Sequence, residues 1–346
     1  MMRAKLKHCL SFCAAVLVTN VTPAATQTIE SVGSRALGMG GAFVAVATDS
    51  SATWWNPAGL AAGPFFDMAL ARAVTETSGT LPAHRDTAFW FALGTPPFGI
   101  SYYRLRITEI QPLPSPLDAP AEPTVTQSGS REDRRAEARS LAASQLGFTV
   151  VQTLIPGVHA GATLKYVRGT PRVHVPGGPL DPGALLDRGD ALEGGEGNSA
   201  FDLDAGVIGV AGALRAGLLV RNAVGFELET EAGVARFDRR FRAGVAYDAR
   251  AIGGPPLVVA LDADLRTIET AAGDRRNVAI GAERWLLNDR LGVRGGARFN
   301  TVGANERAAT AGVSVAVRAG LFLDAHAVRG GREDDRGWGV AARVSF

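Results

Sequence analysis

Few residues in this 346-residue chain are typed and spaced for catalysis. Of five histidines, His8 lies near the start, and His84 and His174 fall in expected loops. His159 and His326 alternate onto the same strand faces as charged residues. No H-E-x-x-H spacing offers a metal site, and no Gly-x-Ser-x-Gly turn exposes a nucleophile. Asp262 and Asp264 share a face at i and i+2, as a carboxylate pair would, but arginines opposite them explain the pair better. The residue types read as a non-enzyme without cofactor or metal.

The first 64 residues hold the other motif-like features. Gly38, Gly40 and Gly41 suggest a phosphate-cradling loop, but Phe43 stands where Gly-x-Gly-x-x-Gly needs its third glycine, and no strand precedes it. Ahead of them, Arg3, Lys5 and Lys7 precede the mostly apolar stretch Cys9–Val21 and the small residues Thr22, Ala24 and Ala25. This is the pattern of a secretory signal peptide over residues 1–25. Its removal would take away Cys9 and Cys13, leaving no thiol for a disulfide, a nucleophile or a zinc site. It would also leave 33 basic against 34 acidic residues, −1 in place of +2. That balance excludes a generic nucleic-acid binder. Mean hydropathy of +0.08, with no apolar run of about 20 residues, excludes a bundle of membrane-spanning helices.

From residue 65 onward the hydropathy alternates with period two. Trp338, Val340, Ala342, Val344 and Phe346 share one face, with Gly339, Ala341, Arg343 and Ser345 on the other. Fourteen such strands are predicted, near residues 65–75, 85–94, 98–109, 140–152, 157–168, 199–211, 213–222, 236–248, 255–267, 276–286, 290–300, 307–317, 318–329 and 336–346. Strands of about 9–11 residues suit a tilted crossing of a bilayer. The connections sort by side: every second one is short, down to a direct Val317–Arg318 reversal, and those between are mostly long. An all-β, 14-stranded antiparallel transmembrane β-barrel over 65–346 follows, with short turns and both termini periplasmic. Closure leaves no sheet edge in hydrocarbon, so one face can be apolar toward outer-membrane lipid while the other carries charge. Mixed signs on the inner face predict cross-strand ion pairs. Among the long loops, Arg131–Arg139 has charges at helical spacing and reads as a short rim helix. Pro112–Pro123 reads as irregular, and the Gly/Pro/Asp-rich Pro176–Gly197 as mobile.

Residues 26–64 are apolar, Gly-rich and too short for a separate domain. A 14-stranded barrel is wide enough to cover them, which predicts an N-terminal hatch, or plug, in the lumen. Pro57 fixes φ and pushes Asn56 away from helix, so Asn56 can close a local turn through its side chain. The corner serves either as a fixed turn or as a moving gate.

The stretch Arg35–Asp49, with Trp55-Asn56-Pro57-Ala58-Gly59-Leu60, resembles the start of FadL/TodX-type outer-membrane transport proteins. It resembles most closely the branch with Gly-Met-Gly and Trp-Asn-Pro-Ala-Gly motifs, which includes outer-membrane components of type IX secretion. The resemblance implies that Asn56, Pro57 and Ala58 are hatch residues, and it draws Gly59, Gly38, Gly40 and Gly41 into the same hatch or gate. It also implies passive uptake of a hydrophobic small molecule, of fatty-acid or aromatic-hydrocarbon type, by a monomer. Phe43, Val44, Val46, Trp54 and Trp55 offer apolar surface for such a ligand, or for packing against the wall. The alternative implied is a non-transporting barrel that serves exported proteins as a partner or shuttle.

Overall fold

The computed structural model describes residues 32–79, 81–112, 136–174, 181–230, 233–270, 273–304, 306–331 and 335–346. The leader at 1–25, most of Pro112–Pro123 and residues 131–135 lie outside them. Seven wall strands come first: β1 (Asp67–Thr77), β2 (Ala83–Gly94), β3 (Phe98–Pro112), β4 (Ala136–Ile155), β5 (Val158–His174), β6 (Asn198–Ala211) and β7 (Leu214–Arg221). A hairpin of β8 (Phe226–Thr230) and β9 (Gly233–Phe237) leads to β10 (Arg240–Asp248) and β11 (Leu257–Asp264). A second small hairpin, β12 (Ile268–Thr270) and β13 (Gly273–Arg275), precedes β14 (Asn277–Leu286). The wall ends with β15 (Leu291–Asn300), β16 (Arg307–Arg318), β17 (Leu321–Gly330) and β18 (Asp335–Ser345). Each wall strand is antiparallel to its neighbours, and β18 pairs with β1 from Asp67↔Ser345 to Thr77↔Asp335. The result is a closed barrel of fourteen strands, as the alternation predicts.

Every wall strand turns large apolar side chains outward, among them Leu70, Phe148, Leu164, Leu218, Leu261 and Val340. Their exposure is the arrangement that a lipid-facing surface requires. Inward positions alternate with them. Over most of the wall they are small, hydroxylated or charged, with Asp262, Glu283, Arg294 and Asp324 all buried, while β2 and β3 also turn Trp90, Tyr103 and Leu105 inward.

The structure departs from the sequence reading mainly at the long-loop ends. β4 reaches 20 residues and starts at Ala136, so the part of Arg131–Arg139 that is described is strand, not rim helix. The cause is legible in retrospect: Ala136, Ala138 and Ser140 alternate with Glu137, Arg139 and Leu141, and Pro112, Gln111 and Ile110 of β3 supply cross-strand partners. His84 and His174 likewise stand in strands rather than loops. The reversal after β16 is not at Val317–Arg318 but at Ala319–Gly320, where Gly320 takes φ +78° and the register shifts beside Arg318. Within Pro176–Gly197, helix α3 (Pro182–Asp190) is capped by Asp181, whose carboxylate accepts from the Ala184 amide (2.8 Å). Leu185 and Leu186 of α3 pack on Ala83, Ile110, Ala136 and Ala138, on the outward face of β2–β4.

Candidate functional site

The segment Val32–Leu60 lies inside the barrel with almost every residue buried. It contains a single helical turn, α1 (Ser34–Gly38), and a second, α2 (Ala52–Trp55), and runs into a 3-10 turn (Pro57–Ala62). Elements this short are not stable alone and depend on the wall for their unmet backbone groups. The wall supplies them. Asp262 on β11 accepts from the Phe43 and Val44 amides, both at 2.8 Å, with Arg242 beside it (3.5 Å). Arg242 also donates to the Gly41 carbonyl (3.0 Å), and Thr310 to that of Gly38 (3.0 Å). Gly40, at φ +70°, runs so close to β15 that a Cβ would stand 2.8 Å from the Ala297 nitrogen, so only glycine fits. At Gly59 a Cβ would fall 1.6 Å from the Ala47 carbonyl oxygen, the tightest fold-back of the segment on itself.

Asn56 makes the local turn expected of it: its Oδ1 accepts from the Ala58 amide (3.2 Å), and Pro57 opens the 3-10 turn. Its Nδ2 does more, donating to Val44 (2.9 Å) within the segment and lying near the carbonyls of Val207 (3.2 Å) and Leu218 (3.4 Å) on the wall. One amide therefore ties two parts of the segment to β6 and β7.

The predicted ion pairs are present and continuous. Arg35 grips Glu283 on β14 through two bonds of 2.8 Å, and Arg294 on β15 reaches the same carboxylate (2.6 Å). Arg294 also donates to Ser314 on β16 (2.6 Å), and Ser314 bonds Asp324 on β17. Arg343 on β18 links Asp324 (3.1 Å) to Asp67 on β1 (3.2 Å), and Asp67 accepts from the Ser50 amide (2.8 Å). A relay thus crosses six adjacent strands and returns to the segment at both ends. Burial alone would lower the Arg35 pKa, but the Glu283 and Asp49 carboxylates outweigh it, so the pKa is raised and the guanidinium stays charged. On β5, Lys165 is fully buried between Asp202 (2.9 Å) and Asp204 (2.6 Å).

The ligand-contact residues expected from sequence do not form one surface. Phe43, Val44, Val46 and Trp55 are no more than 1% exposed; Trp55 donates to the Val32 carbonyl (2.9 Å) and meets Phe43 edge-on. In this conformation their apolar surface is spent on packing. Trp54 is different. It lies under the Arg221 guanidinium (4.3 Å to the ring centroid) and against Tyr103 (4.9 Å), and it borders a cavity of about 40 Å³. Leu105, Val167, Phe226 and Phe237 supply most of the remaining apolar lining, and Gln145, Arg221, Asn222 and Arg240 its polar edge. Sequence reading missed the four apolar residues. Leu105 and Val167 were readable as large apolar residues on inward positions, whereas Phe226 stood in an expected loop and Phe237 at the start of the expected strand 236–248. The latter two stack at 4.6 Å on the hairpin β8–β9 and close the cavity at the long-loop end of the barrel.

A closed, lipid-compatible barrel with its own leading segment packed in the lumen and an apolar pocket above it defines the class: a plugged β-barrel of the outer-membrane type. Solved structures share this fold. The chain is similar to the Ralstonia pickettii toluene transporter TbuX, with TM-score 0.59 and 15% identity, over 92% of this chain and 99% of that one. It is similar to the CymD monoaromatic hydrocarbon channel, with TM-score 0.58 and 12% identity, over 91% and 98%. A Pseudomonas aeruginosa FadL homologue gives TM-score 0.58 and 10% identity, over 92% and 99%. No family model and no curated protein matches the sequence. These neighbours have the FadL/TodX-type fold and lend no support to the secretion-associated branch.

Proposed function

We propose that the protein is an outer-membrane channel for passive uptake of hydrophobic small molecules, with its long loops outside and both termini in the periplasm. The observation that carries the reading is the apolar pocket roofed by Phe226 and Phe237 and floored by Trp54, set directly over the buried segment. Such solutes cross poorly through water-filled pores, and a greasy pocket above an occluded lumen is a means of capturing them. At about 40 Å³ the cavity is well below the ~150 Å³ that holds benzene in an engineered core. The structure is therefore a closed state, and the Phe226–Phe237 stack must separate for an aromatic ring to enter. That neighbours with this fold are toluene and monoaromatic hydrocarbon channels supports a ligand of similar class here.

In this reading residues 1–25 are the leader, 26–64 the hatch and 65–346 the barrel. Gly38, Gly40, Gly41, Asn56, Pro57, Ala58 and Gly59 fix the hatch and would have to release for passage. Phe43, Val44, Val46 and Trp55 touch ligand only after that release, and Trp54 touches it first. Toluene entry into proteoliposomes tests the reading: wild-type protein gives saturable entry and excludes hydrophilic solutes. Deleting residues 26–60 makes entry unsaturable and admits such solutes. Wild-type protein that passes no hydrocarbon overturns the proposal.

A further inference from the structure

The outward faces of β3, β4 and β5 change character sharply toward the long-loop end. Tyr102, Leu146, Tyr166 and Phe201 form one row across β3–β6 by register, all exposed, with Tyr166 and Phe201 5.2 Å apart. Aromatic rows of this kind mark the membrane–water interface. The next row up is Arg104–Ser144–Arg168, then Arg106–Ala142–Thr170, then Thr108–Ser140–Arg172. Rows two residues apart rise about 6.6 Å, so the arginines begin where hydrocarbon gives way to headgroups. The β4 residues between them are small. Ser144 and Ala142 thus floor a trough, walled by Arg104 and Arg106 on one side and by Arg168 and Arg172 on the other, and closed at its upper end where α3 buries Ser140 and Thr108.

The trough is electrostatically unfinished. Among the described residues Arg104 and Arg168, both exposed, make no hydrogen bond or ion pair. Arg106 and Arg172 are held instead by neutral groups, the Asp190 and Gly194 carbonyls (2.7 Å for the latter), on and just after α3. Burial, with Arg104 and Arg106 nearby, disfavours the Arg172 charge against the pull of Glu193, and the Asp190 carboxylate is engaged by Thr108 (2.6 Å) and Arg85 (3.0 Å). Four cations gathered on a lipid-facing wall, two of them fixed by carbonyls, are poised for an anion with several oxygens. Guanidinium groups pair bidentately with phosphate.

We propose that this trough binds the phosphorylated headgroup of an outer-leaflet glycolipid, the acyl chains lying down the apolar surface below Tyr102 and Tyr166. The inference rests on the proposed orientation, with the long loops outside, and not on what the channel carries. Diphosphorylated lipid A, titrated onto the full-length protein in detergent and read by native mass spectrometry, tests it. The double variant R104Q/R168Q should weaken binding about tenfold, as should removing the phosphates from the lipid. R329Q, an outward arginine on β17, should leave binding unchanged. S144D, which places a carboxylate on the floor and keeps every arginine, should weaken binding without touching the trough walls. Excess inorganic phosphate should not displace the lipid, because it lacks the acyl chains. Equal affinity of wild type and both trough variants, equal binding of dephosphorylated lipid, or full displacement by inorganic phosphate overturns the inference. Hydrocarbon flux measured on the same preparations keeps the two readings apart: flux that persists with no lipid A binding removes only this one.

Discussion

The two sides of the lumen hold the N-terminal segment by different physics. From β10 round to β1 the inner wall is charged. Asp262, Glu283, Arg294, Asp324, Arg343 and Asp67 grasp Arg35 and the amides of Phe43, Val44 and Ser50. Across β2–β4 the wall beside the segment is aromatic, aliphatic and hydroxylic. Trp90, Tyr103, Leu105 and Ala143 face Trp54, and the direct polar tie is the 2.6 Å contact between Thr53 and Tyr103. The charged side is geometrically exacting, since a buried ion that loses its partner is severely penalised. The other side can slide or part at small cost, and its Leu105, Ala143 and Gln145 line the cavity. The contrast teaches which wall anchors and which yields.

Glu283→Ala should break the anchoring side most severely. It strands Arg35 and Arg294 without their shared carboxylate, which should cost about 3–5 kcal/mol in detergent unfolding. A cysteine at Val46 should then become reactive to thiol reagents. Asp262→Asn removes a charged acceptor from two amides and one guanidinium, and should cost about 2 kcal/mol with a smaller rise in Val46→Cys labelling. On the yielding side, Thr53→Val loses one hydroxyl contact to Tyr103, about 1 kcal/mol, and should leave that labelling unchanged. If T53V exposes Val46→Cys as much as E283A does, the division of roles fails. Arg250→Gln sets the baseline: its pair with Asp289 joins two turns and is more than half exposed, so less than about 0.5 kcal/mol should be lost.

The wall was readable because lipid on one side and a crowded lumen on the other force a strict period of two on the strands. The long and short connections then fixed the strand count. The strand ends were less readable, because beyond the outward apolar rows the alternation sets small against charged residues, and β4 and β5 continue as far as pairing allows. Ala136–Arg139 therefore carried helix-like charges in a strand. At the site, Asn56 revealed its Ala58 turn through Pro57, a local effect. Its bonds to Val207 and Leu218 depend on residues more than 150 positions away, and nothing local reports them. Trp54 and Trp55 are adjacent and alike in sequence, yet one borders the cavity and the other is sealed. The direction of a single helical turn decides between them.

The pairing of β1 with β18 joins the strands farthest apart along the polypeptide, and Phe66 and Phe346 exchange two backbone bonds (2.9 and 3.0 Å) at its short-turn end. The Arg343–Asp67 contact spans this same join, and Asp67 in turn holds Ser50. Closing the final ladder therefore also completes one of the contacts that hold the stopper. A half-rolled sheet whose first and last strands have not met lacks one of the clasps that keep its own leading segment out of the water.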